Sequence, residues 1–147
     1  MIYLATDHRG FKLKEKIKEW LTEWGYPYVD MGAFVYDKDD DYPDFVHKAA
    51  QKVSQDPENS EAIVLGMSGQ GEAMVANRYR GVRAAVYEGG SEEIIKLARE
   101  HNNANVLSLG TFFVNEEAAK KALEIWFKTK FTGEERHVRR INKIDQL

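Results

Sequence analysis

The sequence AIVLGMSGQGE, at residues 62–72, decides the fold. Its first four residues are apolar, which indicates a buried strand, and its last residue opens a segment with helical spacing. Three glycines, Gly66, Gly69 and Gly71, lie between the two. A strand that leads through a glycine-rich loop into a helix is typical of the units from which parallel sheets are built.

Four similar apolar runs flank this stretch, two before it and two after it. Helical apolar spacing separates consecutive runs, and because parallel neighbouring strands need a crossover helix, the alternation favours a parallel sheet with helices on both faces. The predicted fold class is α/β: a single Rossmann-like three-layer domain over residues 1–147 with a five-stranded parallel sheet and a basic C-terminal helix at about 136–144. The predicted strands are Ile2–Ala5, Tyr26–Val29, Ala62–Leu65, Arg83–Tyr87 and Val106–Leu109, and helical spacing is found around Leu13–Trp24, Phe45–Val53, Met74–Ala76, Ile94–Ala98 and Ala118–Ile125.

Composition narrows the function classes. The chain has 147 residues, 43% of them hydrophobic, which suits one domain with a buried core. Its net charge of -3 favours neither nucleic acid nor a membrane as partner. The absence of cysteine excludes disulfides, thiolate zinc sites and cysteine nucleophiles. The apolar run at the N-terminus is too short for a signal peptide and no apolar stretch has the length of a membrane helix, so we expect a cytoplasmic protein.

The glycine-rich loop predicts an anion-binding site. Ligands bind at the carboxyl ends of strands in such sheets, and the loop N–H groups there form a cradle. A nucleotide triphosphatase is excluded because the lysine and hydroxyl of a phosphate loop are replaced by Glu72 and Ala73. A dinucleotide site is disfavoured because Glu72 would repel the pyrophosphate and the third glycine position is Met74.

Glu72 is the candidate base. Taken alone, it could be an ordinary acidic residue in the first turn of a helix. Together with the loop it suits proton transfer between two adjacent sugar carbons, because that reaction needs one mobile base and fixed donors for the enediolate oxygen. Ser68 adds a hydroxyl that can relay a proton between the two oxygens.

Seven spaced motifs follow one another along nearly the whole chain. They are Asp7-His8-x-Gly10-Phe11, Asp41-Tyr42-Pro43-Asp44, Ser68-Gly69-x-Gly71, Ala76-Asn77-Arg78, Gly81-x-Arg83-Ala84-Ala85, Ala98-Arg99-Glu100-His101-Asn102-x-Ala104-Asn105 and Arg136-His137-x-Arg139-Arg140. In these motifs the chain resembles the ribose-5-phosphate isomerase B family, which includes isomerases of galactose and allose phosphates.

The resemblance implies which residues act. Many members have a cysteine base where this chain has Gly66, whereas a second branch has a glutamate base where this chain has Glu72. By this likeness Glu72 and Ser68 are catalytic, together with His101 and Asn102, which would assist ring opening. The implied substrate-binding residues are Asp7, His8, Tyr42, Gly69, Gln70 and Gly71, and the implied phosphate-binding residues are His8, Arg136, His137 and Arg140.

The resemblance also implies a homodimer with shared active sites, because His101 and Asn102 reach the partner's site in this family. A tetramer built from such dimers stays open. One position departs from the family pattern: the arginine that follows the fifth strand, in a Gly-x-Arg sequence, is here Phe112. Arg9, unusual between His8 and Gly10, is the candidate replacement for phosphate binding.

We expect no metal and no cofactor. Asp37-x-Asp39-x-Asp41 begins like a calcium loop, but Tyr42 replaces the required glycine, so these acids are interpreted as solvated charge. The four histidines show no short ligand spacing, and activity is predicted to resist chelators. His47 is interpreted as structural.

The sequence therefore predicts an intramolecular oxidoreductase acting on a small phosphorylated sugar. The preferred reaction is interconversion of ribose 5-phosphate and ribulose 5-phosphate through a cis-enediolate. Two alternatives stay open: isomerisation of a six-carbon sugar phosphate such as allose or galactose 6-phosphate, and non-catalytic binding of a sugar phosphate.

Overall fold

The structure, a computed structural model, describes all 147 residues. Its five strands form an all-parallel sheet in the order β2-β1-β3-β5-β4, which confirms the predicted fold class. The strands are β1 (Ile2–Thr6), β2 (Tyr28–Asp30), β3 (Glu61–Gly66), β4 (Ala84–Tyr87) and β5 (Val106–Gly110). The helices are α1 (Phe11–Glu23), α2 (Pro43–Gln55), α3 (Gln70–Ala76), α4 (Glu93–Asn102), α5 (Glu116–Lys128) and α6 (Glu135–Asp145).

Each face of the sheet has its own core. One cluster joins the strands to α1, α4 and α5 through residues such as Ile17, Ile95 and Trp126. The other joins them to α2 and α3 through small apolar residues such as Ala49, Val53 and Ala76. The central strand β3 is almost entirely buried between the two, which explains its continuous apolar sequence.

Two sequence predictions shift in the structure. The second strand begins at Tyr28, not Tyr26, and the Tyr26 ring instead stacks on Phe127 with 4.7 Å between centroids. Helix α4 forms as predicted but buries Ile95, whereas Ile94 and Leu97 are 48% and 44% exposed. The apolar periodicity located the helix but not its buried face. Ile94, Ile95 and Leu97 are all apolar, so the pattern is equally consistent with burying Ile95 or with burying Ile94 and Leu97. No helix is long and apolar enough to span a bilayer.

The strand order creates a crevice between β1 and β3. The chain leaves β1 towards β2 on one side and resumes at β3 on the other. Loops at such a reversal diverge and open a space beyond the carboxyl ends of the strands. The residues after β1, after β3 and after β5 border this space.

Candidate active site

Three loops meet at the carboxyl edge of the sheet. Thr6 pairs with Leu65 and Gly66 pairs with Gly110, so the ends of β1, β3 and β5 are adjacent. This register brings Asp7, His8 and Arg9 beside the glycine-rich loop and Glu72. The residues that follow β1 and β3 therefore lie together at one edge of the sheet.

The glycine-rich loop is held rigidly. Gly69 has φ +76°, and a Cβ there would lie 3.1 Å from the Leu109 carbonyl carbon, so this position needs glycine. The buried Ser108 hydroxyl donates to the Gly69 carbonyl at 2.6 Å. Backbone N–H groups of Thr111 and Phe112 donate to the carbonyls of Gly66 and Met67 at 2.9 and 3.0 Å. The loop is therefore fixed before any ligand arrives.

Glu72 lies in the first turn of α3 and is only 3% exposed. Burial raises the pKa of its carboxyl group, and the nearby negative charge of Asp7 raises it further, while a backbone hydrogen bond opposes both. A carboxylate that is desolvated but not ion-paired is a stronger proton acceptor than one in water. These are the properties of a general base.

Gly66 makes the room for this carboxyl group. A Cβ built on Gly66 would overlap the Glu72 carboxyl, whose most distant oxygen would still lie only 2.6 Å away. The backbone of Gly66 is not in the left-handed region, so space, not conformation, requires glycine here. A side chain at position 66 and the observed Glu72 conformer exclude each other.

Asp7 and Tyr42 border the same space. Asp7 is 5% exposed, and burial raises its pKa although its Oδ1 accepts the Arg9 N–H at 2.8 Å. The Tyr42 hydroxyl packs over Gly71, where a Cβ would meet it at 2.5 Å.

The polar side chains of the glycine-rich loop have contacts of their own. Gln70 is exposed, and its amide donates to Glu88 at 3.4 Å. Ser68 Oγ accepts the Gln70 N–H at 3.2 Å.

His8 has a partner that the sequence analysis missed. Asp40 Oδ1 lies 2.6 Å from His8 Nδ1 and also accepts the His8 backbone N–H at 2.9 Å. Asp37, Asp39 and Asp41 are exposed, as interpreted from the sequence, but Asp40 turns inward. The acidic run offered no signal to single it out, because its alternation does not predict which carboxylate is buried.

Asp7, His8 and Asp40 are the residues that could hold a metal, since their ligand atoms lie within 4.8 Å of one another. The His8–Asp40 distance of 2.6 Å is that of a strong hydrogen bond. Two ligand atoms around a tetrahedral zinc ion would stand about 3.3 Å apart. A shared proton explains the geometry better than a shared cation, and a metal-free site stays a prediction.

An open cavity of about 930 Å³ lies beside His8. It is lined both by Phe112, which replaces the family arginine, and by Arg9, the candidate substitute for that arginine. Arg9 and Phe112 both line it, together with Tyr36 and Thr111. The Thr111 hydroxyl donates to the Arg9 carbonyl at 3.1 Å, which links the two loops. The Arg9 side chain is exposed and makes no ion pair, so its guanidinium is free to meet an anion.

The remaining predicted residues form a second group. The rings of His101, at the end of α4, and His137, on α6, stack with 4.3 Å between centroids. His137 is 4% exposed and its Nε2 has no hydrogen-bond partner. Burial lowers the pKa of His137, and the positive charges around it lower it further. Asn102, Arg136 and Arg140 are exposed beside this pair on the same two helices.

These two groups lie at opposite ends of the sheet. Helices in a parallel sheet run back against the strands, so α4 ends at the amino edge, where Asn103 turns the chain towards β5. Glu72 lies at the carboxyl edge. One copy of the chain therefore brings Asp7, His8, Arg9, Tyr42 and the loop to Glu72, but does not bring His101, Asn102, Arg136, His137 or Arg140 to it.

Comparison with known proteins identifies the family. The model of the Ribose/Galactose Isomerase family matches residues 2–144. The chain belongs to the ribose/galactose isomerase family. It is 42% identical over 141 residues to ribose-5-phosphate isomerase B of Mycolicibacterium paratuberculosis, an alignment that covers 96% of this chain and 87% of the relative. The prediction of an isomerase, an intramolecular oxidoreductase, is confirmed by these relatives.

Solved structures of this isomerase family agree with the fold. A crystal structure of ribose-5-phosphate isomerase B from Mycoplasma genitalium with bound ribulose-5-phosphate has a TM-score of 0.94 and 40% identity, covering 99% of this chain and 93% of the other. A ribose 5-phosphate isomerase from Thermotoga maritima has a TM-score of 0.89 and 38% identity, covering 99% and 97%.

Proposed function

We propose that this isomerase interconverts ribose 5-phosphate and ribulose 5-phosphate through a cis-enediolate, with Glu72 as the base. The observation that carries the proposal is the buried Glu72 carboxyl, whose pKa is raised by burial and which lies over Gly66 at the glycine-rich loop. The relatives named as ribose-5-phosphate isomerases, one with ribulose-5-phosphate bound, support the choice of substrate.

The proposed steps need no redox partner. The Glu72 carboxylate takes the proton from C2 of the open-chain aldose, and the electron pair moves to give an enediolate. The protonated Glu72 then returns the proton to C1, while the O2 hydroxyl proton moves to O1 through the Ser68 hydroxyl. Loop N–H groups around Gly69 to Gly71 stabilise the negative oxygen, and the result is the 2-ketose.

In one copy of the chain the predicted residues on α4 and α6 lie at the amino edge of the sheet, away from Glu72, so a second copy has to supply them to the site. We propose a homodimer in which His101 and Asn102 of one copy assist ring opening in the site of the other. Arg136, His137 and Arg140 of that copy then bind the phosphate together with His8. A tetramer of such dimers is compatible with this arrangement.

Exposed apolar side chains support an interface on the helices concerned. Large apolar residues with more than a third of their surface exposed occur on α3, α4 and α6. These helices carry or flank the residues that would have to reach the partner's site. The residues are Met74, Ile94, Leu97, Val138 and Ile144, at 66%, 48%, 44%, 38% and 49% exposure.

Arg9 is the proposed replacement for the phosphate-binding arginine that the family has at the Phe112 position. It lines the same cavity as Phe112 and His8. A guanidinium on the β1 loop can reach the volume that an arginine on the β5 loop would otherwise fill, because Thr111 ties the two loops together. This supports Arg9 as a phosphate ligand.

The reaction is tested by NMR in heavy water. The protein is incubated with ribose 5-phosphate, and the spectra follow ribulose 5-phosphate and deuterium at the exchanging carbon. Product with label supports enediolate chemistry. If only allose or galactose 6-phosphate is turned over, the substrate is a six-carbon sugar phosphate and not ribose 5-phosphate. If the sugar phosphate binds but no exchange occurs, the protein has a binding function in place of the proposed isomerisation.

Shared sites are tested by complementation between two inactive variants. Glu72→Gln and His101→Ala are co-expressed and the mixed dimers are assayed. Each mixed dimer has one site with both native residues, so random pairing restores about a quarter of wild-type activity in a twofold-symmetric dimer. The control pairs Glu72→Gln with Ser68→Ala, which lie in the same half-site. Equal activity in the two mixtures would contradict shared sites.

A further inference from the structure

We propose that Asp40 is a positioning residue that fixes the orientation and tautomer of His8, so that His8 presents Nε2 to the sugar phosphate. The inference rests on the proposed function for its kinetic consequence. Its structural part, the contact between the two side chains, stands without it.

Asp40 is bound to His8 at two points. Its Oδ1 accepts from the His8 backbone N–H at 2.9 Å and from the ring Nδ1–H at 2.6 Å. The other candidate partner, Asp7, has its Oδ2 4.0 Å from Nδ1, which is beyond hydrogen-bond distance. Asp40, not Asp7, therefore determines which ring nitrogen carries the proton.

Asp40 is buried, and burying a carboxylate costs free energy that an exposed aspartate does not lose. Its side chain is 9% exposed, and its Oδ2 is buried without any hydrogen-bond partner. A buried carboxylate lowers stability unless a neighbour compensates it, and the only side chain that bonds to it is His8. A carboxylate kept in this state for one histidine is more consistent with a functional contact than with packing.

The surrounding turn aims Asp40 at the site. The Asp37 carboxylate accepts the Asp39 N–H at 3.0 Å, and the Asp37 carbonyl accepts the Asp40 N–H at 3.1 Å. The turn leaves the side chains of Asp37 and Asp39 in solvent and sends Asp40 inward. The same segment continues into Tyr42 at Gly71, so it forms one wall of the site.

His8 lines the cavity beside Arg9, and Asp40 occupies only one of its two ring nitrogens. An ionised carboxylate only accepts hydrogen bonds, so Nδ1 carries a proton and Nε2 remains available. The ring lines the cavity that Arg9 also lines, and it packs edge-on against Tyr36, with 6.3 Å between centroids and an angle of 88°. Asp40 and Tyr36 thus hold the imidazole from two sides. Nε2 can then accept from a sugar hydroxyl when the ring is neutral, or donate to a phosphate oxygen when the ring is an imidazolium.

The kinetic test compares Asp40→Asn with Asp39→Asn. Both variants remove one carboxylate from the same turn, but Asp39 is 75% exposed and does not touch His8. Asp40→Asn is expected to raise KM for ribose 5-phosphate about tenfold and to change kcat less than about threefold, because it weakens one charge-assisted contact to a binding group. Asp39→Asn is expected to leave both constants unchanged. Equal KM values in the two variants would overturn the proposal.

A double-variant cycle separates positioning from general damage. In a His8→Ala background, Asp40→Asn is expected to cause no further rise in KM, because its effect passes through the histidine. A full additional tenfold rise in that background would show an independent role for Asp40 and refute the inference.

A third measurement needs neither activity nor a folded variant. The ¹⁵N shifts of the His8 ring in the unaltered protein are expected to show that the neutral imidazole carries its proton on Nδ1. A neutral form protonated at Nε2 would overturn the Asp40 assignment. An unaltered protein without isomerase activity would instead contradict the proposed function, while this spectrum would still decide the contact.

Discussion

The sharpest prediction concerns Gly66, a residue that takes no part in the chemistry. Replacing it by alanine adds one methyl group, and the built Cβ overlaps the Glu72 carboxyl group. Ordinary contact requires at least 3.4 Å, whereas the most distant carboxyl oxygen lies at 2.6 Å. The carboxyl group must therefore move by about 0.8 Å at its far oxygen, the difference between those two distances, and by more at its other atoms.

A displacement of that size is expected to lower kcat by about a hundredfold, because proton transfer depends steeply on the distance between base and carbon. Crowding the core is also expected to cost about 1–3 kcal/mol of stability. The assay follows ribulose 5-phosphate formation at saturating substrate and a thermal melt on the same sample. A variant with wild-type kcat would refute the claim that the Glu72 position depends on an empty residue 66.

Two controls separate the site effect from folding. Gly25 has φ +75° and no atom within 4 Å of a built Cβ, so Gly25→Ala strains the backbone far from the site. It is expected to lower the melting temperature and to leave kcat unchanged. In the double variant with Glu72→Gln, Gly66→Ala is expected to add little further loss, because the proposed base is already gone.

Four further predictions concern charged groups in and beside the site. Glu72→Gln is expected to lower kcat by about a hundredfold to ten-thousandfold while sparing substrate binding, and retained turnover would contradict its role as base. Burial raises the pKa of Glu72, so the folded protein loses stability as pH rises from the ordinary carboxyl range through the raised pKa. Glu72→Gln should therefore raise the melting temperature more in neutral buffer than in acid. An equal gain at both pH values would contradict the predicted direction of this pH dependence. Asp7 contributes to that raised pKa, so Asp7→Asn should move the acidic limb of the kcat–pH profile to lower pH, and an unmoved limb would remove Asp7 from the coupling. Arg9→Ala is expected to raise KM for a phosphorylated sugar, whereas the exposed Arg80→Ala control is not; an unchanged KM for Arg9→Ala would end the replacement hypothesis.

Part of the site was accessible from sequence because it is local. Gly66 to Glu72 form a continuous strand–loop–helix unit, and the glycine pattern indicates the loop without knowledge of the rest. Asp7 and His8 were assigned by family resemblance, and their place directly after an apolar run agrees with it, because such sheets bind ligands at strand ends. His101 and Arg140 came from family resemblance alone, since a histidine or arginine near a helix end has many ordinary explanations.

The sequence by itself determined the order of strands and helices, the parallel sheet and the glutamate at the glycine-rich loop, because these depend on short-range periodicity and turn chemistry. Only the tertiary structure decided that Asp40 bonds to His8, that Glu72 fills the space over Gly66, and that His101 lies at the far end of the sheet from Glu72. Such relations join residues far apart along the chain. They arise from strand register and from the direction in which helices return across the sheet, and no local pattern records either.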